Sequence, residues 1–369
     1  MSRAKLVYKR RDRGNRTFLW TAISFTILLC FAPNANAQQY RQTNLVSDVP
    51  GLATFTDANL ANPWGLARSA GSPWWVADNV TGVSTLYNGV GQPFPANSPL
   101  VVSIPTREGG TGPGTPTGIV FNGSSDFEVA TGQPALFIFV TLDGTVSGWN
   151  PAVDPSHAIR KVDNSSSAAA YTGAALASSV GANYLYAANF HGGTVDVFDT
   201  HFSPVTLPPG AFTDSELPAD FAPFNVQNIN GNLFVAFAKQ DEDKEEEVAG
   251  PGLGYVDAFD TNGHLLMRLK SGHWMNAPWA VVLAPANFGK FSNDLLVGNL
   301  GSGNIAAFDT KHGNFHGLLR GDRGAPIEIE GLWGLGFGND ANAGPANTLF
   351  FAAGIEDEEH GLFGTLTPE

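Results

Sequence analysis

Two acidic runs concentrate the chemistry of this sequence. One is Asp241-Glu242-Asp243-Lys244-Glu245-Glu246-Glu247 and the other is Glu356-Asp357-Glu358-Glu359-His360. Carboxylate oxygens at this density are the donors that hard cations such as Ca2+ take. Brought together, Asp241, Asp243, Glu356 and Asp357 would form a joint cation site, and Ca2+ is the cofactor they suggest. Kept apart, each run is a solvated charged loop. Neither run has the Asp-x-Asp-x-Asn-Gly pattern with a twelfth-position Glu that marks a helix-loop-helix calcium loop. A second set of polar side chains borders apolar runs: Asn62, Asn225 and Asn276 ahead of them, and Asp78, Asn79, Asn189, Gln240 and Asn299 behind. Such oxygen and amide groups either face a ligand together or bond their own turns.

Catalytic signatures are missing from the sequence. It has no His-Glu-x-x-His helix, no Gly-x-Ser-x-Gly elbow, no Walker loop and no dinucleotide-binding glycine fingerprint. The glycine-rich stretch 109–114 lacks a strand-to-helix context and reads as a crossing loop. The histidines are scattered through turns and carry no assigned role.

Charge and composition narrow the partners. Of 369 residues, 43% are hydrophobic, enough for a buried core, and only 15% are charged. With 43 Gly and 24 Pro, the chain suits many turns and short strands rather than long helices. Residues 1–37 read as a signal peptide: a basic start from Arg3 to Arg16, an apolar run from Thr17 to Ala32, and Ala35-Asn36-Ala37 as the cleavage site. The apolar run is short for a membrane span. This leader holds seven basic residues and one acid, so residues 38–369 keep 13 basic and 33 acidic residues, a net charge of −20. That charge opposes binding to nucleic acid or to anionic membranes. The only cysteine, Cys30, lies in the leader, so the mature chain must be held by core packing alone. Export to the periplasm or the medium as a monomer is the expectation, with no membrane span after cleavage.

What positions the polar residues is a repeat. The segments starting at Trp64, Thr117, Thr172, Phe224, Trp279 and Trp333 align with one another. Their second residues fall at 65, 118, 173, 225, 280 and 334, at spacings of 53, 55, 52, 55 and 54. After each comes a turn, an apolar run such as Trp74-Trp75-Val76-Ala77, and an alternating run such as Thr194-Val195-Asp196-Val197-Phe198. Alternation marks half-buried strands. Most units add a weaker fourth run. Four strands in each of six units predict an all-β fold, a six-bladed β-propeller over residues 38–369. The sixth unit lacks its fourth strand, and Arg41–Ser47 near the N-terminus supplies it, closing the circle.

This architecture puts the loop before each first strand and the loop between second and third strands on one face, around the channel mouth. Asn62, Asn225 and Asn276 are expected in the first kind of loop. Asp78, Asn79, Asn189, Gln240 and Asn299 are expected in the second, with Asn79, Asn189 and Asn299 as equivalents in blades one, three and five. Both acidic runs fall in loops of the second kind, in blades four and six. Trp64, Trp279 and Trp333, at repeat spacing, are expected to wedge between sheets.

Asn62-Pro63-Trp64-Gly65-Leu66, Trp75-Val76-Ala77-Asp78-Asn79 and Gly82-Val83 resemble NHL-type repeats and blades of the gluconolactonase group. A closer resemblance rests on four stretches: Tyr40 to Gly51, Ala238 to Lys244 with Val248-Ala249-Gly250, Ala277 to Gly289, and Ala353 to Glu358 with Gly361-Leu362-Phe363-Gly364. It is to a family of exported bacterial propeller proteins with no assigned reaction, some carrying a PEP-CTERM sorting tail. The sequence ends at Glu369 without such a tail, which implies release or a free periplasmic life. The ring of mouth loops, the two acidic insertions and the absent catalytic sets point to a small-molecule or protein ligand at the channel mouth. The gluconolactonase resemblance implies the alternative, a divalent-metal-dependent hydrolase or lactonase. There Asn189 and Asn299 would stand in for later metal ligands, but Asn62-Pro63-Trp64 lacks the acid expected in the first blade.

Overall fold

A computed structural model describes residues 39–369. The leader reading falls outside these residues. Six blade sheets follow one another along the chain, and a two-stranded ribbon, Glu128–Ala130 with Gln133–Pro134, lies within the second. Blade one is Pro63–Ala67, Trp74–Asp78, Val83–Tyr87 and Val101–Ser103; blade two is Pro116–Phe121, Phe137–Thr141, Thr145–Trp149 and Ile159–Asp163. Blade three is Tyr171–Ser179, Ala182–Asn189, Thr194–Phe198 and Pro204–Val205; blade four is Phe221–Ile229, Asn232–Lys239, Tyr255–Phe259 and Leu265–Arg268. Blade five is Pro278–Leu283, Leu295–Asn299, Ile305–Phe308 and Phe315–Leu318. Blade six takes Leu332–Phe337, Leu349–Ile355 and His360–Pro368 from the C-terminal end and Tyr40–Ser47 from the N-terminal end. The first strands of successive blades touch in turn, and the sixth touches the first. The fold is therefore a closed six-bladed β-propeller.

The second strand of each blade is apolar along its middle because both of its faces are covered there. In blade one, Trp74 and Val76 pack toward blade six with Tyr87, Phe350 and Phe363. Trp75 and Ala77 point the other way and pack with Ile119, Phe137 and Trp149 of blade two. The same two-sided packing joins blades two and three, three and four, and four and five. Each contact is sheet on sheet, so the interdigitating side chains supply the stabilisation that disulfides would otherwise give.

Closure is an antiparallel seam running from Tyr40 opposite Pro368 to Ser47 opposite Leu362. Side chains reinforce it. The Tyr40 hydroxyl donates to the Phe288 carbonyl at 3.0 Å, reaching into blade five. Ser47 Oγ donates to the Gly361 carbonyl at 2.7 Å. Asp48 accepts the Gly361 N–H at 2.8 Å and meets His360 Nδ1 at 2.7 Å. Arg41 pairs with Glu369 at the exposed end.

The repeat marks have a geometric meaning. In all six blades the pairing of first and second strands slips at or beside the marked residue. These bulges turn the first strands where they crowd the axis. A Cβ placed on Gly65 would lie 2.5 Å from the Thr117 carbonyl oxygen, and one on Gly118 would lie 2.7 Å from the Ala174 nitrogen. Only glycine allows backbones this close. Gly65→Ala is therefore expected to lower the unfolding free energy by about 1–3 kcal/mol, the usual cost of overpacking. Urea denaturation of residues 38–369 checks this, and an unchanged midpoint would contradict it.

Candidate functional site at the channel mouth

The six first strands begin at the mouth face, and the aromatic residues near their starts meet on the axis. Trp64 and Trp333 stack with centroids 3.4 Å apart and planes at 16°. Trp279 meets both edge-on, at 6.3 and 5.8 Å. Phe224 completes the group 5.7 Å from Trp333. The wedge expected of these tryptophans thus forms across the axis rather than between neighbouring sheets alone. Beneath it the axial space falls to about 20 Å3, lined in part by Gly65, Gly118 and Ala280.

Above this floor lies a cavity of about 490 Å3. Trp64, Trp333, Phe224, Leu142 and Thr172 form its base; Glu245, Glu246, Glu247, Asp357 and Glu358 form its wall. Both acidic runs therefore rise on the same side, as the repeat arithmetic requires. The blade-four run is a tight extension of the second strand: the Val248 N–H donates to the Lys239 carbonyl at 2.7 Å and the Asp241 N–H to the Glu246 carbonyl at 2.9 Å. Lys244 turns it with a φ of 61°. The blade-six loop is tighter still, with Glu356, Asp357 and Glu358 all at positive φ. Left-handed geometry at three consecutive residues other than glycine costs on the order of 1 kcal/mol each. It aims the Glu358 carboxylate at Asn62 Nδ2, 2.8 Å away.

The expected polar residues divide sharply. Asn62 joins floor to wall: its Oδ1 accepts the Trp333 indole N–H at 3.1 Å while its amide holds Glu358. The other seven bond protein groups of their own loops or of a neighbouring blade. Asn189 Oδ1 accepts the Gly192 N–H at 3.0 Å and its amide donates to Asp196 at 3.0 Å. Asn299 Oδ1 accepts the Asn276 N–H at 2.9 Å, and Asn276 Oδ1 accepts the Gly250 N–H at 2.6 Å. Gln240 donates to the Phe190 carbonyl at 2.6 Å and Asn79 to the Pro116 carbonyl at 3.2 Å.

Two placements need correction. Asn225 lies inside the first strand of blade four, not in a loop, and its amide donates to the Trp279 carbonyl at 2.9 Å near the axis. Asn79 is not the partner of Asn189 and Asn299 in the repeat. Strand register makes Asp78 the equivalent, because Asp78 faces Pro63 as Asn299 faces Pro278 and Asn189 faces Tyr171. Asp78 is fully buried and accepts both the N–H and the hydroxyl of Thr85. Burial drives its acidity well below that of an ordinary aspartate, and the nearby Asp57 adds to the effect.

Among the four carboxylates expected to share a cation, only Asp357 lines the cavity. Asp241 Oδ1 accepts the N–H of Glu245 at 2.9 Å and so shapes its own turn. Asp243 and Glu356 are exposed. The lining acids not singled out, Glu245, Glu246, Glu247 and Glu358, all lie in the same two runs. Among the described residues no group of three His, Cys, Asp or Glu side chains is placed to hold a metal ion.

The wall has an unusual electrostatic state. Burial pushes the Glu247 carboxyl up to about 7, with the charges of Glu358, Glu246 and Asp241 adding to the shift. Burial also raises Glu358, against the bond from Asn62, and Glu246 raises it further. An acid raised on folding binds more protons folded than unfolded across that interval. Its contribution to stability is full below the ordinary glutamate range and is lost as pH rises through the folded value. Stability is therefore expected to fall between about pH 5 and pH 8. Glu247→Gln should raise the urea midpoint at pH 8 more than at pH 5; an equal change at both would contradict the assignment.

No family model matches the chain. Curated relatives and solved structures do. A protein of unknown function from the structural genomics of Bacteroides thetaiotaomicron superposes with a TM-score of 0.54 over 90% of this chain and 76% of its own, at 10% identity. A streptogramin B lyase does so with a TM-score of 0.51 over 90% and 98%, at 14% identity. At such identities the likeness is of fold alone. An uncharacterised protein of Acanthamoeba polyphaga mimivirus is 31% identical over 344 residues, 91% of this chain and 82% of its own length. A second mimivirus protein, also uncharacterised, is 29% identical over 347 residues, 92% and 88%. These relatives are viral, whereas the sequence resemblance points to exported bacterial proteins. The chain belongs to the family of these uncharacterised mimivirus proteins.

Proposed function

We propose that this protein is a ligand-binding propeller whose ligand seats in the mouth cavity, and that it does not act as a metal hydrolase. The convergence of two acidic runs, about 110 residues apart in sequence, on one aromatic-floored cavity carries the reading. A cavity of several hundred cubic ångströms with an apolar base and a few directed polar groups is the usual form of a small-molecule site. The loops that build it depart from the repeat, and departures from a repeat are where a scaffold carries its individual function. In the hydrolase alternative, Asn189 and Asn299 would turn their oxygens to a divalent ion. Both oxygens accept backbone N–H groups instead.

The same reading makes the mature chain, from Gln38 onward, a monomer released to the periplasm or the medium by the leader at 1–37. A net charge of −20 after cleavage supports a partner other than nucleic acid. The bacterial exported family that the sequence resembles is the setting in which this life would make sense, and the streptogramin lyase is a precedent for a small-molecule ligand on this fold.

A crystallographic fragment soak of residues 38–369 tests the reading. Fragments are expected to collect over Trp64 and Trp333. A cavity of about 500 Å3 on the outer edge of blade three, between Thr194–Phe198 and Leu207–Thr213, is the built-in comparison. Fragments confined to that outer cavity, with an empty mouth, would overturn the reading.

A further inference from the structure

We propose that the mouth selects an organic ammonium compound with an oxygen acceptor close to its charge. This inference rests on the mouth-binding reading and adds the class of ligand.

Charge is the first argument. Five carboxylates surround the cavity, and none of them takes part in an ion pair among the described residues. Glu247 and Glu358 are partly buried, so a cation between them would meet fields that water screens poorly. Asn62 fixes Glu358 in place before any ligand arrives. That is preorganisation, which reduces the ordering cost of binding.

Size is the second argument. A hard metal ion needs six to eight oxygens gathered within about 2.6 Å. Here the carboxylates are spread along the wall of a cavity of about 490 Å3, and Leu142 and Phe224 give the base an apolar part. That arrangement fits a cation carrying a carbon skeleton.

The floor supplies the third argument. Three indoles meet at the axis, and two have their N–H groups bonded: Trp333 to Asn62 Oδ1 at 3.1 Å and Trp279 to the Thr172 carbonyl at 3.0 Å. The Trp64 N–H has no partner, although Trp64 is only 5% exposed and lines the cavity. A buried donor without a partner costs about 1–3 kcal/mol. A ligand oxygen at the base of the cavity would recover that cost while the ammonium meets the wall above.

Choline and its uncharged isostere 3,3-dimethylbutan-1-ol separate charge from shape, and the charge of choline does not change with pH. Isothermal titration of residues 38–369 at pH 8 is expected to show choline binding about tenfold more tightly than the alcohol, the scale of one desolvated charge contact. Glu247→Gln and Glu358→Gln should each weaken choline several-fold and leave the alcohol unchanged. Choline should also bind more tightly at pH 8 than at pH 6, as Glu247 ionises. Equal affinity for the two probes, or choline binding indifferent to both substitutions, would overturn the ammonium assignment while fragments found in the mouth would still uphold the mouth reading. Displacement of choline by equimolar calcium would overturn it in favour of a metal site. Choline that fails to bind, together with a mouth left empty by neutral fragments, would overturn both.

Discussion

Six strands must run side by side around one axis, and the closeness of their backbones at the bulged residue is the constraint on which the rest depends. Where Gly65 meets Thr117 and Gly118 meets Ala174, no side chain fits between blades. The blades can therefore come close enough for the large residues one position earlier, Trp64, Trp279 and Trp333, to reach across the axis and pack on one another. That aromatic plug shuts the channel from below and makes the mouth a bowl rather than a tunnel. The bowl is then lined by whatever the mouth-side loops present.

Closure at blade six gives this geometry its permanence. The N-terminal strand fills the fourth position of the blade, with the short strand Phe55–Thr56 outside it, and Tyr40, Ser47 and Asp48 bind residues more than 240 positions away in sequence. Asp48 also holds His360 and Gly361, which end the blade-six acidic loop. The seam and the site thus share residues. The loop that carries Glu358 is pinned on one side by the closing strand and on the other by Asn62 at the start of blade one. Strain in its left-handed turn is borne by these fixed ends, as expected where a scaffold dictates an otherwise unfavourable backbone.

Much of the fold was legible because repetition averages out local ambiguity. One strand such as Trp74–Asp78 is short and apolar and could be taken for several things; six equivalents at a steady period could not. The exchange of strands between the termini followed from a missing fourth strand. The site was legible only in part. Sequence located both acidic loops and their common face, since those follow from topology. It did not tell which carboxylates turn inward, because that depends on the hairpin ladder between Lys239 and Val248 and on the turn closed by Asp241. It misaligned Asp78 by one residue because the bulges shift the pairing and leave no trace in spacing. The bond from Asn62 to Trp333 joins residues 271 apart, which no local pattern could suggest.

Loops from blades four and six face each other across one cavity and share its electrostatics. Carboxyl carbon NMR titration of Glu247, in the native protein and in Glu358→Gln, tests this coupling most directly. Glu247 is expected to titrate at about 7 in the native protein, mainly through burial, and at a lower pH once the Glu358 charge is removed. A Glu247 that titrates as an ordinary glutamate, or whose titration ignores the substitution, would contradict it.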